Sequence, residues 1–259
     1  MWKDTVGVVL AGGLGMRLRG VLGATPKAMA LVDGRPFIDW VIDYLRASGI
    51  CRVIVATGYG ADSIEGHLRA SAPTGIAMDF ARESSALGTA GGLAHAANAM
   101  TSRPENWLVC NGDSLALAPL ALLAGAMQDP QVAGAILGVR MADAGRYGTV
   151  ESDRAGFLTR FAEKQPGRGT INAGVYLLRD DLVRNLPATR PLSLEREVFP
   201  RIVAQGVRIR VVEADCPFID IGTPESLAVA TDFVRTHREA LESGGLSLSL
   251  VRSEQPRSP

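Results

Sequence analysis

Gly12, Gly13 and Gly15, followed by Arg17 and Arg19, are crowded into the segment LAGGLGMRLRG (10–20), and Lys27 follows shortly after. Glycines let backbone N–H groups come close to phosphate oxygens. An arginine can fork onto two such oxygens, and a lysine adds a point charge. The loop therefore suits a polyphosphate, or else it is a glycine-rich turn with solvated arginines. Two better-known phosphate loops do not fit. A dinucleotide fingerprint would need a third glycine where Leu18 stands. Its helix would be interrupted by Pro26 and Gly34, and its acidic partner could only be Asp33, inside a turn-like VDG. A P-loop would need GK[ST] after the glycines, and none follows.

The elements around this loop alternate. Residues 5–10, 52–57, 75–81, 106–113, 132–140 and 171–179 are short apolar runs, the pattern of strands buried on both faces. Between them, 36–49, 61–70, 89–100 and 117–128 carry helical patterning, and 192–206 does so later, with Ser193 as its N-cap. Residues 148–164 read as a hairpin turning at 152–156. Residues 207–214 alternate as a half-exposed strand, and Thr223 with Pro224 opens a last long helix. Strand alternating with helix predicts an α/β fold, a Rossmann-like, mostly parallel twisted sheet flanked by helices, with a small β-hairpin subregion. Ligands of such sheets bind beyond the carboxyl ends of the strands. That directs attention to AGGLGMR, to NGD at 111–113 and to RYGTVE at 146–151. Residues 1–240 read as one domain, and 241–259, rich in Ser and Pro, as a flexible tail.

Composition narrows the partners. Lys and Arg number 27, as do Asp and Glu, and aromatics are 5%, so neither a basic nucleic-acid face nor a base-stacking platform is expected. Cys51, Cys110 and Cys216 form no CxxC, and His67, His95 and His237 form no HxxxH, so no zinc site is expected. No apolar run approaches the ~18 residues of a membrane span, and the expectation is a cytoplasmic enzyme without membrane contact.

An ordered set of segments resembles one family. LAGGLGMRLR with PKAMALVDGRPFIDW, then LGTAGGL (87–93), NGDS (111–114), YGTV (147–150), EK (163–164), INAGVY (171–176), SLEREVFP (193–200) and FIDIGTPE (218–225) are similar, in order, to the signature of sugar-1-phosphate nucleotidylyltransferases. The likeness spans roughly residues 4–235. It implies the nucleotide-diphospho-sugar transferase fold, with residues 1–130 mainly nucleotide-binding and 131–225 mainly sugar-phosphate-binding. It also implies a reaction in which a sugar 1-phosphate attacks the α-phosphorus of a nucleoside triphosphate and pyrophosphate leaves. The nucleophile is already an anion, so the task is alignment and charge neutralisation rather than general-base catalysis.

The resemblance carries roles onto matching positions. Asp113 and Asp220 are the expected Mg²⁺ ligands, since hard oxygens suit that ion. Arg17 grips the triphosphate, Lys27 lies at the phosphates, and Lys164 binds the sugar phosphate. These five form the expected catalytic set. Leu10, Ala11, Gly12, Gly13, Gly15, Met16, Gly88, Thr89, Asn111 and Gly112 are expected around the nucleotide. Gly148, Glu163, Asn172 and Gly174 are expected around the sugar phosphate. Glu83, just before LGTAGG, favours guanine, whose N1–H and N2–H₂ are adjacent donors that one carboxylate accepts. GTP is thus the expected triphosphate. Over its whole length the chain looks most like D-glycero-α-D-manno-heptose 1-phosphate guanylyltransferases, which are short and serve bacterial capsule or lipopolysaccharide synthesis. Mannose 1-phosphate guanylyltransferases, which usually carry an added β-helix of hexapeptide repeats, and N-acetylmuramate 1-phosphate uridylyltransferases are the alternatives. A non-catalytic sugar-nucleotide sensor on the same fold is a further one. A homodimer is compatible with the resemblance. Met16 and Ala28 depart from the family's usual Thr and Pro.

Overall fold

The computed structural model describes residues 2–71, 73–162, 166–188 and 190–243. Strand β1 (Thr5–Ala11) is buried along nearly its whole length. Val6 and Val8 enter a core on one face, and Val9 and Ala11 a core on the other. Burial on both faces is why no polar residue interrupts the run. After β1 come the short helix α1 (Arg19–Leu22) and a two-stranded ribbon, β2 (Leu31–Val32) with β3 (Arg35–Pro36). Helix α2 (Phe37–Ala47) turns Phe37, Ile38, Trp40, Val41, Ile42, Tyr44 and Leu45 inward. Each such side chain contributes roughly 1.5–3 kcal/mol of transfer free energy. Then follow β4 (Arg52–Thr57), α3 (Ala61–Ser71), β5 (Ala77–Arg82), α4 (Gly88–Asn98) and β6 (Asn106–Asn111). Alanines at 90, 94, 96 and 97 are buried and let α4 lie close to the sheet.

Strands β5, β4, β1 and β6 pair in parallel in that order. The chain thus winds outward from β1 through β4 to β5, then returns to place β6 on the other side of β1. Where winding reverses, the loops after two adjacent strands diverge and leave a crevice at their carboxyl ends. Here those loops are residues 12–15 and 112–113.

The second half runs β7 (Ser114–Ala116), α5 (Ala121–Ala126), β8 (Val132–Met141), β9 (Thr149–Ser152), β10 (Leu158–Ala162), β11 (Gly169–Arg179) and α6 (Asp180–Val183). A π-turn (Leu194–Val198) leads into α7 (Phe199–Ala204), then β12 (Arg208–Ala214), β13 (Phe218–Asp220), α8 (Pro224–Thr236) and α9 (Arg238–Ser243). β12 continues the parallel theme against β8, while β11 runs antiparallel to β6, β8 and β9. The expected hairpin is β9–β10, bulged between Leu158 and Arg160. Among the described residues no helix is long and apolar enough to cross a membrane.

Three expectations shift. The helix read over 117–128 shrinks to α5, its start being taken up by Leu117, whose amide donates to Pro217 O at 3.0 Å and continues the pairing of β7 with β13. The helix read over 192–206 opens with the π-turn, although Ser193 caps it as expected, accepting from the Arg196 amide. Leu241, assigned to the tail, is buried in the core through α9; residues 244–259 lie outside the described residues.

Beneath β6, Asp180 is 4% exposed. It accepts from the Trp107 indole at 2.8 Å, from Arg103 at 2.7 Å and from Arg184 at 2.7 Å. Burial raises this carboxyl, but the bonds from Trp107, Arg184 and Arg103 outweigh it and hold it below the ordinary aspartate range. Its stabilisation is therefore present above the unfolded value of about 3.9 and is lost as pH falls through the lower native value. Asp180→Ala is expected to cost about 3 kcal/mol in urea unfolding at pH 7, because a buried indole N–H loses its acceptor. The deficit should shrink at acid pH. An unchanged midpoint would refute the role.

Candidate active site

The glycine loop leaves β1 with its underside fixed. Gly12 O accepts from the Tyr59 amide at 3.4 Å, and Gly58 packs so closely that a methyl there would stand 2.9 Å from the same oxygen. Among the described residues, the amides of Gly13, Leu14 and Gly15 donate to no other protein group. Gly15 has φ +56°, a backbone that glycine tolerates best, and it packs against the Lys27 side chain. The next turn is anchored by Leu18, 1% exposed, which leaves Met16 and Arg17 on the outside. The loop thus offers unpaired donors and an arginine to one side, the arrangement an anion needs.

A cavity of about 270 Å³ opens beside it, lined by Leu10, Gly12, Gly13, Glu83, Ala86, Gly88, Thr89, Asn111 and Asp113. Glu83 follows β5 and is held at both ends. Its amide donates to Thr57 O at 2.7 Å, and its Oε2 accepts from the Leu87 amide at 3.0 Å. Glycines make room for the carboxylate. A methyl on Gly92 would stand 2.6 Å from Oε1, and one on Gly12 3.3 Å from Oε2. Burial raises the Glu83 carboxyl above the usual range, only partly offset by the Leu87 amide and by His95.

A larger cleft of about 700 Å³ adjoins this cavity and shares Asn111 and Asp113 with it. Lys27 Nζ lies 2.5 Å from Asp113 Oδ2. β13 pairs with β7 so that Asp220 opposes Ser114, and the Ile221 amide donates to Asp113 O at 2.9 Å. That register is what brings two aspartates, 107 positions apart by their residue numbers, into one cleft. Asp220 Oδ1 accepts from the Tyr147 hydroxyl at 2.8 Å and faces Arg146 at 3.5 Å, while Oδ2 accepts from the Gly222 amide at 2.8 Å. Burial first, then Asp220, pushes the Tyr147 hydroxyl up to about 12, so it stays a donor. A methyl on Gly222 would stand 2.4 Å from Asp220 Oδ2 and 3.3 Å from Lys27 Nζ, so glycine keeps this gap open.

Of the sequence-predicted residues, Gly15, Met16, Arg17, Lys27, Asn111, Asp113, Gly148, Asn172 and Asp220 line the large cleft. Leu10, Gly12, Gly13, Glu83, Gly88 and Thr89 line the small cavity. Others are placed differently. Ala11 turns its methyl into the core. Gly112 and Gly174 line neither cavity and act through shape. Gly112 donates to Leu10 O at 2.9 Å, and Gly174, at φ +72°, leaves room for Asn111. The Thr89 hydroxyl is committed within the protein, accepting from the Leu194 amide and donating to Glu195, both at 2.8 Å. The Asn172 amide is also engaged, with Nδ2 donating to Tyr176 at 2.7 Å and Oδ1 accepting from the Gly174 amide at 3.1 Å. Glu163 and Lys164 lie outside the described residues.

Arg146, Tyr147, Gly92, Gly222 and Glu195 were not singled out from the sequence. Arg146 and Tyr147 sit in the RYGTVE segment after β8, so their position was visible, but their contact with Asp220 depends on a register 73 residues away. Among the described residues no group of three or more His, Cys, Asp or Glu could hold a metal by itself. Asp113 and Asp220 supply two hard oxygen donors, which fits an ion that completes its shell with water and phosphate oxygens.

The sequence pattern of nucleotidyl transferases matches residues 6–237. A mannose-1-phosphate guanylyltransferase of Mycobacterium tuberculosis is 34% identical over 231 residues, 88% of this chain and 62% of that protein. The chain thus spans about three fifths of the length of such relatives. A D-glycero-alpha-D-manno-heptose 1-phosphate guanylyltransferase of Campylobacter jejuni is 31% identical over 219 residues, 84% of this chain and 95% of that one. Among solved structures, HddC from Yersinia pseudotuberculosis superposes with a TM-score of 0.79 at 31% identity, covering 88% of this chain and 98% of that one. A structure of HddC complexed with GMP-PN gives 0.78 at 29% identity, with 88% and 98% covered. The match over nearly the whole chain places this protein in the nucleotidyl transferase family.

Proposed function

We propose that the chain is a sugar-1-phosphate guanylyltransferase that transfers GMP from GTP to D-glycero-α-D-manno-heptose 1-phosphate, giving GDP-heptose and pyrophosphate. The observation that carries the base assignment is Glu83, a partly buried carboxylate in the small cavity beside Gly12 and Gly13. Guanine offers two adjacent N–H donors to such a group, whereas uracil and thymine offer one between two carbonyls. The acceptor assignment is supported by two heptose 1-phosphate guanylyltransferases, 31% and 32% identical, which the chain covers to 95% and 93%. A second acceptor, mannose 1-phosphate, is favoured by the 34% identical relative.

In this reading the free amides after β1 and Arg17 hold the triphosphate, and Lys27 moves from Asp113 onto a phosphate. A sugar-phosphate oxygen attacks the α-phosphorus in line; the new O–P bond forms as the bond to the β-phosphate breaks, and pyrophosphate leaves. Lys164 would receive the sugar phosphate and Glu163 its hydroxyls. Mg²⁺, held by Asp113 and Asp220 with phosphate oxygens, would supply charge neutralisation on the reacting phosphates. Because the attacking atom is anionic, positioning and fixed charge supply the rate enhancement. The setting is the cytoplasm of a bacterium building surface polysaccharide.

The test is a crossed panel of GTP, ATP, UTP and dTTP with heptose, mannose and N-acetylmuramate 1-phosphates, read by pyrophosphate release. Fastest turnover is expected with GTP and heptose 1-phosphate. A faster pyrimidine triphosphate would overturn the base assignment, and a faster second sugar the acceptor assignment. Glu83→Gln should raise the KM for GTP about 10–100-fold, the equivalent of losing charge-assisted bonds. The wild-type KM for GTP should rise as pH falls, beginning above the pH at which an ordinary glutamate protonates, because the raised group loses its charge there. The variant should lack that rise.

A further inference from the structure

Behind both cavities lies one carboxylate that neither cavity exposes. Glu195, in the π-turn, is half-buried. Its Oε1 accepts from the Tyr176 hydroxyl at 2.8 Å. Its Oε2 accepts from the Thr89 hydroxyl at 2.8 Å and the Ser193 hydroxyl at 2.7 Å. Each branch leads to a different cavity. Thr89 is in the first turn of α4 and lines the small cavity beside Gly88. Tyr176 receives the Asn172 Nδ2 bond, and Asn172 lines the large cleft.

All the donors point the same way. Tyr176 is fully buried, and burial together with Glu195 raises its hydroxyl well above the ordinary range, so it remains an O–H donor. With its O–H directed to Glu195, that oxygen can only accept from Asn172. This fixes the orientation of the Asn172 amide, with Oδ1 turned to the Gly174 amide. On the other branch the Thr89 hydroxyl accepts from the Leu194 amide and must donate to Glu195. The backbone locks the same junction, since Leu192 O accepts from the Ala90 and Gly91 amides and Leu192 N donates to Leu87 O. A π-turn is a poorly favoured backbone, retained where it aims a side chain.

We propose that Glu195 is a positioning residue that couples the two cavities, so that filling the nucleotide cavity pre-orders Asn172 for the sugar phosphate, and the reverse. The proposal rests on the reading that these cavities take a guanine nucleotide and a sugar 1-phosphate. Coupling between sites is reciprocal, so each ligand must tighten the other by the same factor. Glu195 acts through Thr89 and Tyr176 and is not assigned to substrate. An amide in its place has one acceptor oxygen and one NH₂, and the NH₂ must face either Tyr176 or the Thr89–Ser193 pair. One branch then has to reverse its hydrogen bonds.

The experiment is calorimetric titration of a non-hydrolysable α,β-methylene GTP analogue with Mg²⁺, with and without heptose 1-phosphate, and the reciprocal titration. In the wild type each ligand is expected to tighten the other about tenfold. In Glu195→Gln the affinity for the nucleotide alone should change by less than about threefold while the mutual factor falls to about one. Tyr176→Phe, which cuts one branch without adding a donor, should give the same loss, and it carries the test if Glu195→Gln does not fold. A mutual factor near one in the wild type, or an unchanged factor in the variants, overturns the coupling while leaving the guanylyltransferase reading standing. Failure of the wild type to bind the nucleotide or the sugar phosphate at all removes that reading and the coupling with it.

Discussion

Asp113→Asn and Asp220→Asn are each expected to lower kcat by about a thousandfold, while the melting temperature of Asp113→Asn should move by no more than about 2 °C. The size follows from what removing one preorganised charge costs at a centre where charge shifts during reaction. An asparagine keeps the shape of the site. At position 113 it loses the attraction for the ammonium 2.5 Å away. At position 220 it can still accept from Tyr147, but its NH₂ must then confront the Gly222 amide that now donates to Oδ2. Stability is spared at position 113 because its carboxylate faces an open cleft and makes one ion pair, worth at most about 1 kcal/mol; at position 220 the lost acceptor for the Gly222 amide should cost about 1–3 kcal/mol. Pyrophosphate release and differential scanning calorimetry on the same samples check both halves. Turnover near the wild-type rate in either variant would take that aspartate out of the reacting centre.

Gly174→Ala is the second large effect, and it arises from shape alone. Gly174 has φ +72°, and an added methyl would stand 2.2 Å from Asn111 Nδ2 and 2.7 Å from its Cγ. The left-handed backbone costs alanine about 1–2 kcal/mol and overpacking a further 1–3 kcal/mol. A loss of about 3 kcal/mol, or about 10 °C in Tm, is expected. Asn111 lines both cavities, so its displacement should lower kcat/KM more than the fraction unfolded explains. Gly148→Ala is the comparison. Its added methyl meets nothing within 4 Å and its φ lies outside the left-handed region, so it should melt like the wild type. Equal melting of the two variants and the wild type would contradict the geometry at β11.

The strands and the phosphate loop could be read from the sequence because their signals are local. β1 is an apolar run buried on two faces, and the glycines next to Arg17 announce a loop that approaches an anion. Asp113 and Asp220 could be nominated only as loop aspartates and by family likeness. What joins them is the pairing of β7 with β13, and strand pairing between distant segments has no local signature. Gly92 was legible as a small residue on a helix near the sheet. Its effect on Glu83 depends on how close α4 lies to the end of β5, and helix propensity does not encode that distance. Thr89 was placed at the nucleotide from its motif, whereas its hydroxyl belongs to a junction with Glu195, 106 residues on. The helix expected over 117–128 failed at its start for a related reason. Leu117 continues the pairing of β7 with β13 by donating its amide to Pro217 O, and periodicity within the segment contains no trace of that partner.

The wall that the two cavities share has a consequence for change over generations. The small cavity is built by loops after β1, β5 and β6, whereas the far side of the large cleft comes from residues 145–148 and 218–223. Among the described residues, only Asn111 and Asp113 serve both. On the proposed reading, substitutions at Gly145, Gly148 and Phe218, away from Asp220 and its partners, can therefore reshape the acceptor side with the nucleotide cavity intact, and a lineage can acquire a new sugar without relearning its nucleotide.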